Sequence, residues 1–242
     1  MSTLHASSGR WKLGLALSLT TALMWGVLPI ALKLTLTQMD AITVSWYRFL
    51  VAAVLVGLLV WRKGKPLGLA RLDRTGWVLL AIVILGLSGN YLFYLLGLDY
   101  ITPGTAQVVI QLAPIMLLVG ALVVFRESFA PLQWAGLLIF VVGLILFFRY
   151  DLEHLANPGS SQVYGIAFMI LAAIVWAAYA LAQKQLLRSM GSQRILLCIY
   201  VSAVVLFLPW TSPLSIFSID ATVFALLVFA SLNTVVAYGA FA

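Results

Sequence analysis

Apolar residues run along the chain in eight long stretches, at about 13–36, 42–61, 76–97, 105–124, 132–148, 164–185, 195–210 and 221–242, separated mostly by short polar segments. Each approaches the ~20 residues that carry a helix across ~30 Å of hydrocarbon. A membrane barrel would show shorter strands of alternating polarity instead. The pattern therefore predicts an all-α polytopic membrane protein with about eight spans. The runs at 132–148 and 195–210 are short and predict helices that stand nearly upright or thin the bilayer around them. The first run is too long for the apolar region of a signal peptide, and no small-residue cleavage site follows it, so it reads as an uncleaved span.

Charge sharpens this picture. Only 9% of residues are charged and 64% are hydrophobic, while the net charge is +7. With the amino terminus inside, the inner flanks carry Arg10, Lys12, Arg62, Lys63, Lys65, Arg71, Arg74, Arg126, Lys184, Arg188 and Arg194, eleven of the 14 basic residues. Lys33, Arg48 and Arg149 lie in or near the outer half. Asp40, Asp99, Asp151, Glu153 and Asp220 fall outside. This asymmetry predicts a cytoplasmic amino terminus; the chain is expected in a bacterial cytoplasmic (inner) membrane. It also assigns the positive charge to topology, leaving no basic surface for nucleic acid. Trp11, Trp61, Trp77 and Trp134 mark inner interfaces, and Trp46 and Trp210 outer ones; Trp25 and Trp176 alone fall at mid-membrane. Cys198 has no partner cysteine.

The segment Trp25–Met39 aligns with Trp176–Met190 at a shift of 151, pairing Trp25 with Trp176, Ala31 with Ala182, Lys33 with Lys184, Leu36 with Leu187 and Met39 with Met190. A period that long fits two copies of one half rather than a solenoid. Asn90 matches Asn233 at a shift of 143, the difference being the longer loop at 62–75. The halves are 13–148, with five spans, and 164–242, with three. An odd number of spans per half inverts the second copy, which places a binding site near the midplane where the halves meet. By this reasoning the second half is unfinished, and truncation is the expected reason.

The stretch 103–148 carries a further signal: a helix with Pro114, an acidic residue after it (Glu127), an amphipathic turn, and a glycine-containing helix with Gly136 and Gly143. Together with Trp25-Gly26, Arg48-Phe49 and the Trp176–Tyr179 stretch, it resembles EamA-type permeases of the drug/metabolite transporter superfamily. The resemblance spans about 13–242 and implies a ten-helix transporter fold of two inverted five-helix repeats that moves small metabolites. It names no substrate. The departure is the missing last pair of helices.

Candidate binding residues lie on helix stripes, since residues three or four apart share a face. Trp25, Pro29 and Lys33 form one stripe, Trp176, Tyr179 and Gln183 another, Asn90 and Tyr94 a third, and Gln107, Gln111 and Pro114 a fourth. Asn233 joins them as the mate of Asn90. Aromatic surface beside hydrogen-bonding groups suits a small amphiphilic solute, although the same residues can serve helix packing. Pro29 and Pro114 are hinge candidates, each removing a backbone hydrogen bond. Lys33 is expected to reach the outer interface, Lys184 the inner one, and Glu127 to cap the next helix or bond within the loop. No span contains Asp or Glu, so a buried carboxylate proton relay is not expected. His5 and His154 lie in polar segments, so no metal or other cofactor is implied.

These observations predict a non-enzymatic secondary transporter of small organic metabolites. On the family resemblance its task is export of amino acids or related compounds. Transport or exchange of anionic sugars or phosphates is the alternative, and it requires more than one basic side chain in the cavity. A non-transporting membrane scaffold is a second alternative. Expected partners are a small-molecule substrate, the lipid bilayer and a second copy in a homodimer. Reporter fusions should place the 62–75 loop in the cytoplasm and the 149–163 loop outside; the reverse result would overturn both the orientation and the inversion.

Overall fold

The computed structural model describes residues 11–64, 66–125, 130–148 and 161–241. Glu127, Arg126, Arg149, Asp151, Glu153 and both histidines lie outside them, as does most of the 149–163 loop. The described chain is helical: α1 (Trp11–Thr35), α2 (Ala41–Arg62), α3 (Arg74–Tyr100), α4 (Pro103–Val109), α5 (Leu112–Phe125), α6 (Pro131–Phe148), α7 (Ser161–Leu186), α8 (Ser192–Phe207) and α9 (Ala221–Phe241). Short 3-10 turns cover Leu69–Arg71, Leu208–Trp210 and Pro213–Phe217.

Among the described residues six helical segments are long and apolar enough to cross a membrane, and Pro131–Phe147 and Ala221–Ala237 are shorter apolar helices. Large apolar side chains such as Leu23, Val123, Leu138, Ile139 and Val205 stand exposed on these segments, an arrangement stable in lipid and not in water. The chain is an integral, multi-pass membrane protein. Of the two runs expected to be short, 132–148 remains so. The other is lengthened: α8 starts at Ser192 and continues through the 3-10 turn to Trp210, giving a segment of 19 residues.

Helix ends follow local chemistry. Asp40 accepts hydrogen bonds from the backbone N–H of Ile42 and Thr43, starting α2, and Asp73 accepts from Gly76, starting α3. Thr102 accepts from Thr105 ahead of Pro103, which suits a first helical position because its missing N–H needs no partner there. Asp220 caps α9 through Val223, and the Val223 N–H and the Gln38 amide hold its carboxyl below the usual carboxylate range. Lys33 donates from Nζ to the carbonyls of Leu98 and Asp99, both at 2.7 Å. Its stem spans apolar surface while its charge closes the C-terminal end of α3, where cations are favoured. Asp40, Asp99 and Asp220 thus share one end of the bundle with Lys33. Lys63 bonds Gln193, and Arg194 bonds the Pro66 carbonyl, at the other end.

The helices pair in a regular way. The most extensive contact is α3 on α7, followed by α1 on α9 and α2 on α8. The α3–α7 contact is close because glycines line it. A methyl group on Gly86 would lie 2.9 Å from both Tyr179 Cβ and the Val175 carbonyl, and one on Gly97 would lie 2.8 Å from the Gly165 carbonyl. Small residues let membrane helices approach until backbones touch, which compensates for the missing hydrophobic force between helices in lipid. An asparagine crosses each of the first two contacts: Asn90 Nδ2 donates to the Ala172 carbonyl at 3.0 Å, and Asn233 Nδ2 to the Met24 carbonyl at 2.8 Å.

Between α2 and α8 the core is aromatic. Phe49 and Tyr200, 151 positions apart, are both fully buried with ring centroids 5.9 Å apart. Ala52 and Ala203, also 151 apart, are both fully buried. Trp46 Nε1 donates to the Val204 carbonyl at 3.1 Å. α6, by contrast, exposes nearly its whole length, with Leu132 83% and Ile139 73% exposed.

Gly86→Ala tests the close contact. It should lower stability in detergent by roughly 1–3 kcal/mol, because neither backbone nor Cβ can yield easily. Gly136→Ala, with nothing within 4 Å of the added methyl, should leave the melting temperature unchanged or raise it. Equal melting curves for both variants would contradict the packing described.

Candidate binding cavity

The fourth apolar run, expected as one helix, is two. α4 ends at Val109 and α5 begins at Leu112, leaving Ile110 and Gln111 in a turn. Pro114 explains the position: its ring clashes with the carbonyl four residues earlier, that of Ile110, and it has no N–H to donate. The turn tightens instead, with the Gln111 N–H bonding the Val108 carbonyl at 3.1 Å and the Ala113 N–H bonding the Ile110 carbonyl at 2.9 Å. Pro29, the other hinge candidate, is buried within α1, which is continuous across it.

Beside this break lies a cavity of about 150 Å³. An apolar cavity of about that volume accepts a benzene ring. Ile110, Gln111, Ala113 and Pro114 form one wall. Trp25, Leu28 and Leu32 of α1, Asn90, Tyr91 and Tyr94 of α3, Gln107 of α4 and Trp176 of α7 form the others, with Arg48 of α2 completing it. The structure therefore brings Trp25, Asn90, Tyr94, Gln107, Gln111, Pro114 and Trp176 together from five helices and the turn between α4 and α5. Non-helical backbone at this depth is tolerated where it lines a cavity or is covered by protein.

Two predicted site residues are placed elsewhere. Tyr179 is fully buried against α3, its Cβ facing Gly86, and is absent from the lining. Three residues advance a helix by about 300°, so Tyr179 turns about 60° away from Trp176; the two rings sit 6.5 Å apart. Asn233 is 1% exposed and spends its amide on the Met24 carbonyl. It holds α9 to α1. Gln183, on the same stripe as Tyr179, is likewise buried away from the cavity, and Lys33 is engaged at the end of α3.

The polar groups of the cavity are partly tied down. Gln107 takes a long contact from the Tyr94 hydroxyl at 3.5 Å and donates to the Trp25 carbonyl at 3.4 Å. Asn90 uses one N–H on Ala172. The side-chain amide of Gln111 makes no hydrogen bond among the described residues. Arg48 lies seven residues into α2, about 10 Å below its start, and is 3% exposed. Its Nε donates to Thr234 Oγ1 at 3.2 Å, and its guanidinium carbon sits 4.2 Å from the centre of the Tyr91 ring. From sequence alone Arg48 reads either as a residue that pairs with outer-surface carbonyls or, with Lys33, as one of two candidate basic groups for the cavity. Burial under α9 prevents the first. The available signal was a lone arginine inside an apolar run, since such residues face the bundle interior or a cavity.

The EamA-like transporter family matches residues 12–149, more than half of the chain. This chain belongs to the EamA-like transporter family. It is 36% identical to the uncharacterized inner membrane transporter YhbE of Escherichia coli, over 95% of this chain and 72% of that protein. An uncharacterized transporter of Haemophilus influenzae is also 36% identical, over 95% of this chain and 74% of its own. A crystal structure of a protein 16% identical in sequence superposes with a TM-score of 0.68, over 94% of this chain and 77% of that one. At such low identity the likeness concerns the fold alone. The EamA-type resemblance read from Pro114, Gly136 and Gly143 is thus a family membership.

Proposed function

We propose that this family member moves small organic metabolites across the cytoplasmic membrane by alternating access, using the cavity between α1, α3, α7 and the α4–α5 break. The observation that carries the reading is the pair Trp25 and Trp176. These residues stand 151 positions apart, occupy corresponding places in α1 and α7, and both line the same cavity. The pairing of α1 with α9 and of α3 with α7 supports two inverted repeats, 13–148 and 164–242, since exchanging the halves turns one contact into the other. A cavity between inverted halves can open to either side by rocking one against the other. We place the amino terminus in the cytoplasm on the charge asymmetry, and read the protein as a carrier rather than an enzyme.

Export of amino acids or related compounds is the direction the family suggests. Sugar phosphates fit less well: a doubly charged group calls for a second cation, and among the described basic residues only Arg48 lines the cavity while Lys33 is held at the end of α3. Among the described residues no carboxylate lines the cavity, and on this reading transport proceeds without a buried Asp/Glu proton relay.

Both tryptophans are only partly buried, so truncating them should not carry the roughly 3–5 kcal/mol cost of emptying a packed core site. Trp25→Ala and Trp176→Ala are expected to keep near-normal expression and melting temperature while transport of the substrate falls in each. Untargeted metabolite profiling of overexpressing cells supplies that substrate. Two well-folded variants with unimpaired transport would refute the assignment of the cavity.

A further inference from the structure

We propose that Arg48 is the counter-charge for a carboxylate, so that the cavity takes a small organic monoanion with an apolar or aromatic body. The inference rests on the cavity being the transport site.

A buried guanidinium is costly unless its charge and its N–H groups are answered. Arg48 is 97% buried by its 3% exposure, yet among the described residues it has no carboxylate partner. One of its five N–H groups meets a neutral hydroxyl, that of Thr234, and the Tyr91 ring offers its face to the charge. Four N–H groups, the planar fork that grips a carboxylate with two parallel bonds, have no acceptor among the described residues. They belong to a residue that lines the cavity.

Packing does not require the arginine. The position 151 residues later is Ile199, fully buried in α8 without any charge, so the corresponding place in the other half is filled by a hydrocarbon side chain. The remaining groups have the matching preference. Gln111 has a free amide among the described residues, and α5 begins at the cavity wall, where a helix start favours negative charge. Opposite, Trp25, Trp176 and Leu28 offer apolar and aromatic surface for the body of the solute. One cation answers one carboxylate, and among the described residues no acidic side chain lines the cavity to answer a second, cationic group.

The test uses the purified full chain in detergent and follows the melting temperature with 3-phenylpropionate, its neutral amide, 3-phenylpropylamine and inorganic phosphate. The acid should raise the melting temperature, and its amide, the amine and phosphate should do so far less. Titrated to a dissociation constant, the acid should bind Arg48→Gln about a hundredfold more weakly. Arg62→Gln, which removes a charge at the end of α2, should bind it normally. Without ligand, Arg48→Gln should melt at or above the wild-type temperature, because an unanswered charge has been removed; a merely structural arginine would instead lower it. Arg48→Lys, which keeps the charge and loses the fork, should bind with intermediate affinity. Equal stabilisation of wild type by acid and amide overturns the proposal, and that comparison decides even if Arg48→Gln fails to fold. Undiminished binding of the acid by folded Arg48→Gln overturns it as well. Uptake of the same acid into proteoliposomes separates the two readings. Arg48-dependent binding without transport leaves the carboxylate site standing and removes the carrier role; transport indifferent to Arg48 does the opposite.

Discussion

In hydrocarbon a backbone carbonyl or N–H without a partner costs several kcal/mol, and this constraint governs the cavity. Pro114 forces one span to give up regular helix, and the chain answers with tight bonds at 110–113 and with cover from α1, α3 and α7. A break that were fully packed would only kink the helix. Here the cover stops short, leaving about 150 Å³ lined by two indoles, two tyrosines, three side-chain amides and one guanidinium. The polar residues are therefore concentrated where the helix is interrupted.

That arrangement depends on rigid walls. Gly86, Gly97 and Gly165 bring α3 and α7 into backbone contact, and Asn90 fastens the same pair while presenting itself to the cavity. On the other side Asn233 fastens α9 to α1, the helix that carries Trp25. Phe49 and Tyr200 meet between α2 and α8 and fix the depth at which Arg48 enters. Asn90, Trp25 and Arg48 are thus each positioned by a contact that their own helix makes with a neighbour.

Much of this was legible in the sequence, for identifiable reasons. Span lengths follow from bilayer thickness, so the eight apolar runs mark the helices, and the family membership agrees with the motif at 103–148. Trp25, Asn90, Tyr94, Gln107, Gln111 and Trp176 stand out as polar or aromatic residues in apolar surroundings, and all six line the cavity. Periodicity and repeat matching say which residues share a face or correspond, and not which neighbour that face meets, which is why Tyr179, on a plausible stripe, turns to α3 and Asn233, the mate of Asn90, turns to α1. The break at Ile110–Gln111 was visible only as a proline four residues later. The burial of Arg48 was hidden because it depends on α9 crossing above it, a contact between residues 186 apart.

The central claim is that the cavity at the α4–α5 break opens to each side of the membrane in turn. Accessibility of Gln111 measures this directly. In a Cys198→Ser background, Gln111→Cys is treated in sealed vesicles with a membrane-impermeant thiol reagent applied from one side or the other. Labelling should occur from both sides, with transported substrate suppressing it and with a cross-link that locks one conformation confining it to a single side. A thiol unreactive from either side, or one still labelled from both sides after locking, would contradict the account.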